Sequence, residues 1–135
     1  MRTNLLNTVA ECDSYSGDLT EDRDDLLRRK ANLQSQLVDY SKSSVTVDSE
    51  LTKVNARLGV ADTIIDALPE GPEKNKEEAN KSKLTWRFKT LSNRKDNFGV
   101  FAILDLEVQI EVVDARVGVL NSALARVATR RAELA

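Results

Sequence analysis

Between Leu5 and Leu68, apolar residues recur at alternating steps of four and three for nine heptads, and this repeat constrains the chain more than any other feature. With d positions at Leu5, Cys12, Leu19, Leu26, Leu33, Tyr40, Val47, Val54, Ala61 and Leu68, the a positions are Val9, Ser16, Arg23, Lys30, Leu37, Ser44, Leu51, Leu58 and Ile65. Only Ser16, Arg23, Lys30 and Ser44 depart from apolar character, and all four fall at a. A 3.5-residue period keeps one seam turned to a partner helix while the rest of the surface meets water, so the repeat predicts helix packed on helix.

The repeat stops at Leu68-Pro69-Glu70-Gly71-Pro72. Pro69 has no amide proton and turns Leu68 away from helix, Gly71 is free to take a positive φ, and Pro72 suits the first turn of a new helix. The expected architecture is all-α: a long antiparallel helical hairpin of coiled-coil type, in one domain over residues 1–135, associating into an oligomeric bundle. Arm one covers about 4–68, the turn 69–72 and arm two about 73–134. At 1.5 Å per residue each arm would extend about 95 Å.

Two places test the continuity of the arms. Arm one is expected to begin near Thr3 or Asn4 and to run through Gly17, which costs about 1 kcal/mol relative to Ala without breaking a helix. The alternative is a short separate helix, with Asp18 and Glu21 capping the next. Arm two carries Leu84, Phe88, Leu91 and Phe98 on one stripe. It then changes phase near 97–102 to Ile103, Leu106, Ile110, Val113, Val117, Leu120, Leu124, Val127 and Leu134. The expectation there is a stutter within a continuous helix, with a bend at Gly99 as the alternative.

Folding about the turn makes the numbers of facing residues sum to about 141, so Lys30 is expected opposite Glu111 and Arg23 near Asp114. Such matched polar positions would set register at some cost in stability. A hairpin needs one apolar stripe per helix, yet arm two has a second: Phe101, Leu104, Val108, Val112, Ala115 and Val119. A helix apolar on two sides is covered on two sides. The cover is expected to be another copy of the chain or another helical protein. A chain that folds back on itself at Gly17, Ser44 or Gly99 is the alternative.

Charge is balanced overall, with 20 basic and 22 acidic side chains, but its distribution is uneven. Seven carboxylates crowd residues 11–25, and eight Lys or Arg lie within 74–95. Lys81, Lys83, Arg87 and Lys89 with Trp86 form a candidate face for an anionic ligand, since phosphates attract such a cluster and a base can stack on indole. Asp48, Glu50 and Asp62 on the facing arm oppose that field, so nucleic acid ranks below an ordinary charged surface or a protein-docking surface.

No catalytic constellation is present. Histidine is absent, which removes the commonest general base and metal ligand. No CxxC pair, P-loop or dinucleotide-binding glycine motif occurs. Asp22-Arg23-Asp24-Asp25 lacks the glycine and terminal Glu of a calcium loop, and a metal site at Asp105, Glu111 or Asp114 would lack the Glu-x-x-His elements of helical carboxylate centres. No catalytic residue, metal or cofactor is therefore expected. Cys12, the only cysteine, sits at d and is expected to act as a small hydrophobe. No apolar run reaches the 18 or so residues of a membrane span, and the first residues make a poor signal peptide, so a cytoplasmic location is favoured. The expected function is a non-enzymatic structural or assembly role through helix association. An adaptor or chaperone-like binding module is the alternative.

Overall fold

The computed structural model describes residues Met1–Ala135. It contains no strands and three α-helices, α1 (Val9–Ala67), α2 (Pro72–Phe98) and α3 (Val100–Leu134), preceded by one 3-10 turn at Thr3–Leu5. α1 is unbroken through Gly17 and through the polar, β-branched stretch 41–47, so the chain does not fold back at Gly17 or Ser44.

Helix α1 begins at Val9, five or six residues later than expected, for a capping reason. The Glu11 amide donates to Thr8 Oγ1 at 3.1 Å, and Glu11 Oε2 accepts from the Asn7 amide at 2.8 Å. Thr8-Val9-Ala10-Glu11 is thus a variant of the reciprocal capping box, with the carboxylate reaching one residue further back than usual. Because the backbone leaves the helix before Thr8, Leu5 loses its seam position and is exposed. Leu6 packs against the core in its place. Asp18 and Glu21, the other capping pair in the sequence, lie inside α1.

The turn uses both prolines. The Leu68 amide is shared between the carbonyls of Ile64 (3.1 Å) and Ile65 (3.3 Å), closing α1 before Pro69. Gly71 has φ 156°, a conformation side chains rarely adopt, and Pro72 opens α2 at its first position.

Between α2 and α3 the expected stutter is replaced by a break. Helix α2 ends at Phe98, and Gly99 takes φ −77° and ψ −173°. The dihedrals suit any residue, but the space does not: a Cβ on Gly99 would lie 2.6 Å from the Lys95 carbonyl oxygen. The Ile103 amide bonds to the Gly99 carbonyl at 3.2 Å, so the new helix starts at once.

Contacts divide the chain into two compact units, one of Met1–Leu37 with Asp105–Ala135 and the other Val38–Leu104. In the first unit α1 packs antiparallel on α3. Cys12, Leu19 and Val127 are buried together, with Leu6, Leu120, Ala123, Leu124 and Leu134 packed around them, and Leu33, Leu106 and Val113 are buried as well. Arg130 Nε donates to the Leu6 carbonyl at 3.0 Å, tying the last turns of α3 to the start of the chain. In the second unit α1 packs antiparallel on α2, burying Val47, Val54, Ala61 and Leu91. The Tyr40 and Phe98 rings meet edge to face, centroids 5.0 Å apart.

The buried residues of α1 recur at multiples of seven: Cys12, Leu19, Leu33, Val47, Val54 and Ala61. No polar or charged residue is fully buried. Cys12 is a free thiol with no exposed surface, which makes it a packing residue.

Two glycines separate helix propensity from steric need. Nothing lies within 4 Å of a Cβ placed on Gly17, so Gly17→Ala should stabilise the chain by about 0.5–1 kcal/mol. Gly99→Ala should destabilise it by about 1–3 kcal/mol, because the neighbour it meets is backbone. Urea unfolding of both variants measures the opposite signs.

Candidate interaction surface

Lys30 and Arg23 find partners across the first unit, Lys30 one turn and Arg23 two turns from the residues expected. Lys30 Nζ reaches Asp114 Oδ1 at 2.7 Å, not Glu111, and Arg23 Nη1 reaches Asn121 Oδ1 at 3.3 Å, not Asp114. Arg131 Nε donates to Asp13 Oδ1 at 2.6 Å. All three pairs sum to 144. The offset of three from the expected sum has a physical cause. Side chains in a helix lean toward its N-terminus, so a long cation meets a partner about one turn beyond the residue facing its Cα. Glu111 is left exposed without an ion pair. Arg23 is the least satisfied member: its Nε is enclosed and accepted by no group, with Asp24 at 3.7 Å.

The second apolar stripe is uncovered. In the first unit Val108, Val112 and Val119 keep 57%, 54% and 69% of their surface exposed, and Ala115 between them is exposed too. In the second unit Phe101 and Leu104 are likewise exposed. Val108, Val112, Ala115 and Val119 follow at steps of four, three and four, which aligns them on one side of α3, away from the buried Leu106, Val113 and Val127. Beside them runs an open groove of about 710 Å³. Its walls are Val112, Arg116 and Val119 on α3, and Asp22, Leu26 and Arg29 on α1. Isolated apolar side chains on a surface need no explanation, but an aligned row does.

Four of the eight basic residues of α2 are ion-paired within the second unit, Lys74 with Glu70 and three across to α1. Lys81 reaches Asp62 at 2.5 Å, Arg87 reaches Glu50 at 3.0 Å and Lys95 reaches Asp48 at 3.2 Å. Lys83 and Lys89 make no ion pair, and Trp86 beside them is 70% exposed. Of the candidate anionic-ligand face, then, Lys81 and Arg87 are already engaged by carboxylates, and Lys83, Trp86 and Lys89 remain open to solvent. Hydrogen bonding to Asp62, followed by its charge, raises the Lys81 pKa above the ordinary lysine value. Arg131 is raised in the same way by Asp13, and Lys74 by Glu70.

One apolar patch escaped the heptad reading. Val60 and Ile64 of α1 are exposed and line a second groove of about 350 Å³ with Leu84 of α2. The signal was present as the i, i+4, i+8 series Ala56, Val60 and Ile64, which the stronger seam pattern overshadowed.

No set of three or more His, Cys, Asp or Glu side chains converges as metal ligands. No helix is long and apolar enough to cross a membrane. No protein-family model, curated protein or solved structure matches this chain.

Two substitutions separate the charge pairs from ordinary surface charges. Asp114→Ala should cost up to about 1 kcal/mol, because the Lys30 ammonium it leaves is only partly exposed, while Glu111→Ala should be near neutral. Chemical denaturation of the two compares them directly. Lys81 holds its proton more tightly folded than unfolded, so its contribution is complete below the ordinary value of 10.5 and is lost as pH rises through the raised folded value. The difference in melting temperature between wild type and Asp62→Asn should accordingly be constant from pH 7 to 9 and shrink above pH 10.5.

Proposed function

We propose that this chain is a non-enzymatic structural or assembly protein that works by helix association. In this reading it is an antiparallel helical hairpin of coiled-coil type, and the outer stripe of α3 is where it joins another helix. The observation that carries the reading is the exposure of Val108, Val112 and Val119 in one row on a helix whose opposite side is already packed. Covering apolar surface is worth roughly 25 cal/mol per Å², so an aligned row of valines is a source of association energy and a liability while uncovered.

The all-helical fold supports a role carried by surface contact. The grooves are open along the helices, unlike the enclosed, water-excluding pockets in which enzymes isolate reactions. The second reading, an adaptor or chaperone-like module, uses the same stripe for an unlike helical partner. It is favoured by the separate exposed patch at Val60 and Ile64, which gives a second place to bind.

The double substitution Val108→Lys with Val112→Lys tests the proposal, read by light scattering over a concentration series alongside circular dichroism. Both residues are exposed, so the helices should survive. A structural oligomer should fall to monomer mass with its helicity intact, whereas an adaptor should keep the mass of the wild type. Loss of helicity would mean that these valines belong to the packed interior, and would overturn the proposal.

A further inference from the structure

We infer that the α3 stripe is covered by the same stripe of a second copy of this chain, lying antiparallel, with Asp105 of each copy against Arg116 of the other. The inference rests on the reading of the stripe as an association surface and adds the partner, direction and register. All residues it uses lie in the first unit.

Asp105 and Arg116 are both exposed, and neither has a hydrogen bond or ion pair within the chain. They stand eleven residues apart, three turns of helix, so both fall on the same edge of the row formed by Val108, Val112 and Val119. One edge of the stripe is thus acidic toward the start of α3 and basic further along.

Two-fold symmetry then decides the direction. When identical helices pack antiparallel about a two-fold axis, each edge of one faces the same edge of the other with its order reversed. Setting Val108 of one copy against Val112 of the next, and Val112 against Val108, pairs residues whose numbers sum to 220. Asp105 and Arg116 sum to 221, so each acid comes within one residue of the other copy's base, twice over. Parallel pairing about a two-fold axis along the helices would instead put this edge of one copy on the opposite side of the interface from the same edge of the other, so Asp105 would meet no Arg116. A shift of one heptad, with Val108 against Val119, keeps the valines covered but leaves both charges unmatched. Charge complementarity therefore selects one register among those that bury the same apolar row.

Glu111 supplies an independent sign. It lies on the other edge, next to the proposed axis, where it meets its own copy. This repulsion is exposed and screened, and removing it should strengthen association.

The experiment is sedimentation equilibrium of the full chain at low salt, with variants Asp105→Arg, Arg116→Asp and the two combined. Either single reversal should weaken self-association about tenfold, because both symmetric pairs become repulsive together. The combined variant should return to within about threefold of wild type, and so should an equimolar mixture of the two single variants, in which reversed acid meets reversed base across the interface. Glu111→Gln should tighten association about twofold. If Val108→Lys with Val112→Lys abolishes self-association but charge reversal leaves it unchanged, the register is overturned while the association surface stands. A monomeric wild type overturns the second copy as partner and leaves the adaptor reading. Self-association untouched by the lysine substitutions overturns both this inference and the reading beneath it.

Discussion

The packed column on α1 supports everything else. A helix of 59 residues that carries Gly17, Gly59 and a polar stretch at 41–47 is held less by intrinsic propensity than by what its apolar face covers. In the first unit that face meets α3 and in the second it meets α2, through modest side chains: Cys12, Leu19 and Leu33 in one, Val47, Val54 and Ala61 in the other. Aromatic residues contribute mainly one edge-to-face pair, Tyr40 with Phe98. Because the column is narrow, each helix keeps most of its circumference in water, which is why so many apolar residues outside it remain exposed.

Where the helices stop is decided by steric and capping chemistry rather than by the apolar pattern. Thr8 and Glu11 cap α1 at a point where the heptads would have continued backwards to Leu5. Pro69, Gly71 and Pro72 end one helix and open the next through a missing donor, a positive φ and a preset φ in turn. At Gly99 the lack of a side chain lets the Lys95 carbonyl come close enough to break the helix between α2 and α3. Three short stretches thus cut a periodic sequence into its elements.

Charge acts at two levels. Lys30 with Asp114 and Lys81 with Asp62 meet across the helix pairs by leaning back along their own helix, whereas Arg87 with Glu50 reaches the other way. These contacts lie at or near the surface, where an ion pair adds little stability. They also engage three of the eight basic residues of α2, Lys81, Arg87 and Lys95. The charges left unpaired beside the apolar row on α3, Asp105 and Arg116, are the ones that give it a direction.

The sequence by itself determined the helical class and the helix stop at Leu68-Pro69-Glu70-Gly71-Pro72. Both follow from period and from proline and glycine chemistry, which are local properties. What it misplaced depends on side-chain reach or local clearance. The partner of Lys30 lay one turn, and that of Arg23 two turns, from the residue expected because reach depends on how a side chain leans, and Leu5 gave way to Leu6 because a cap ended the helix first. The break at Gly99 and the exposure of Val60 and Ile64 required the tertiary structure, since a close backbone approach and an uncovered face are properties of neighbours that periodicity does not specify.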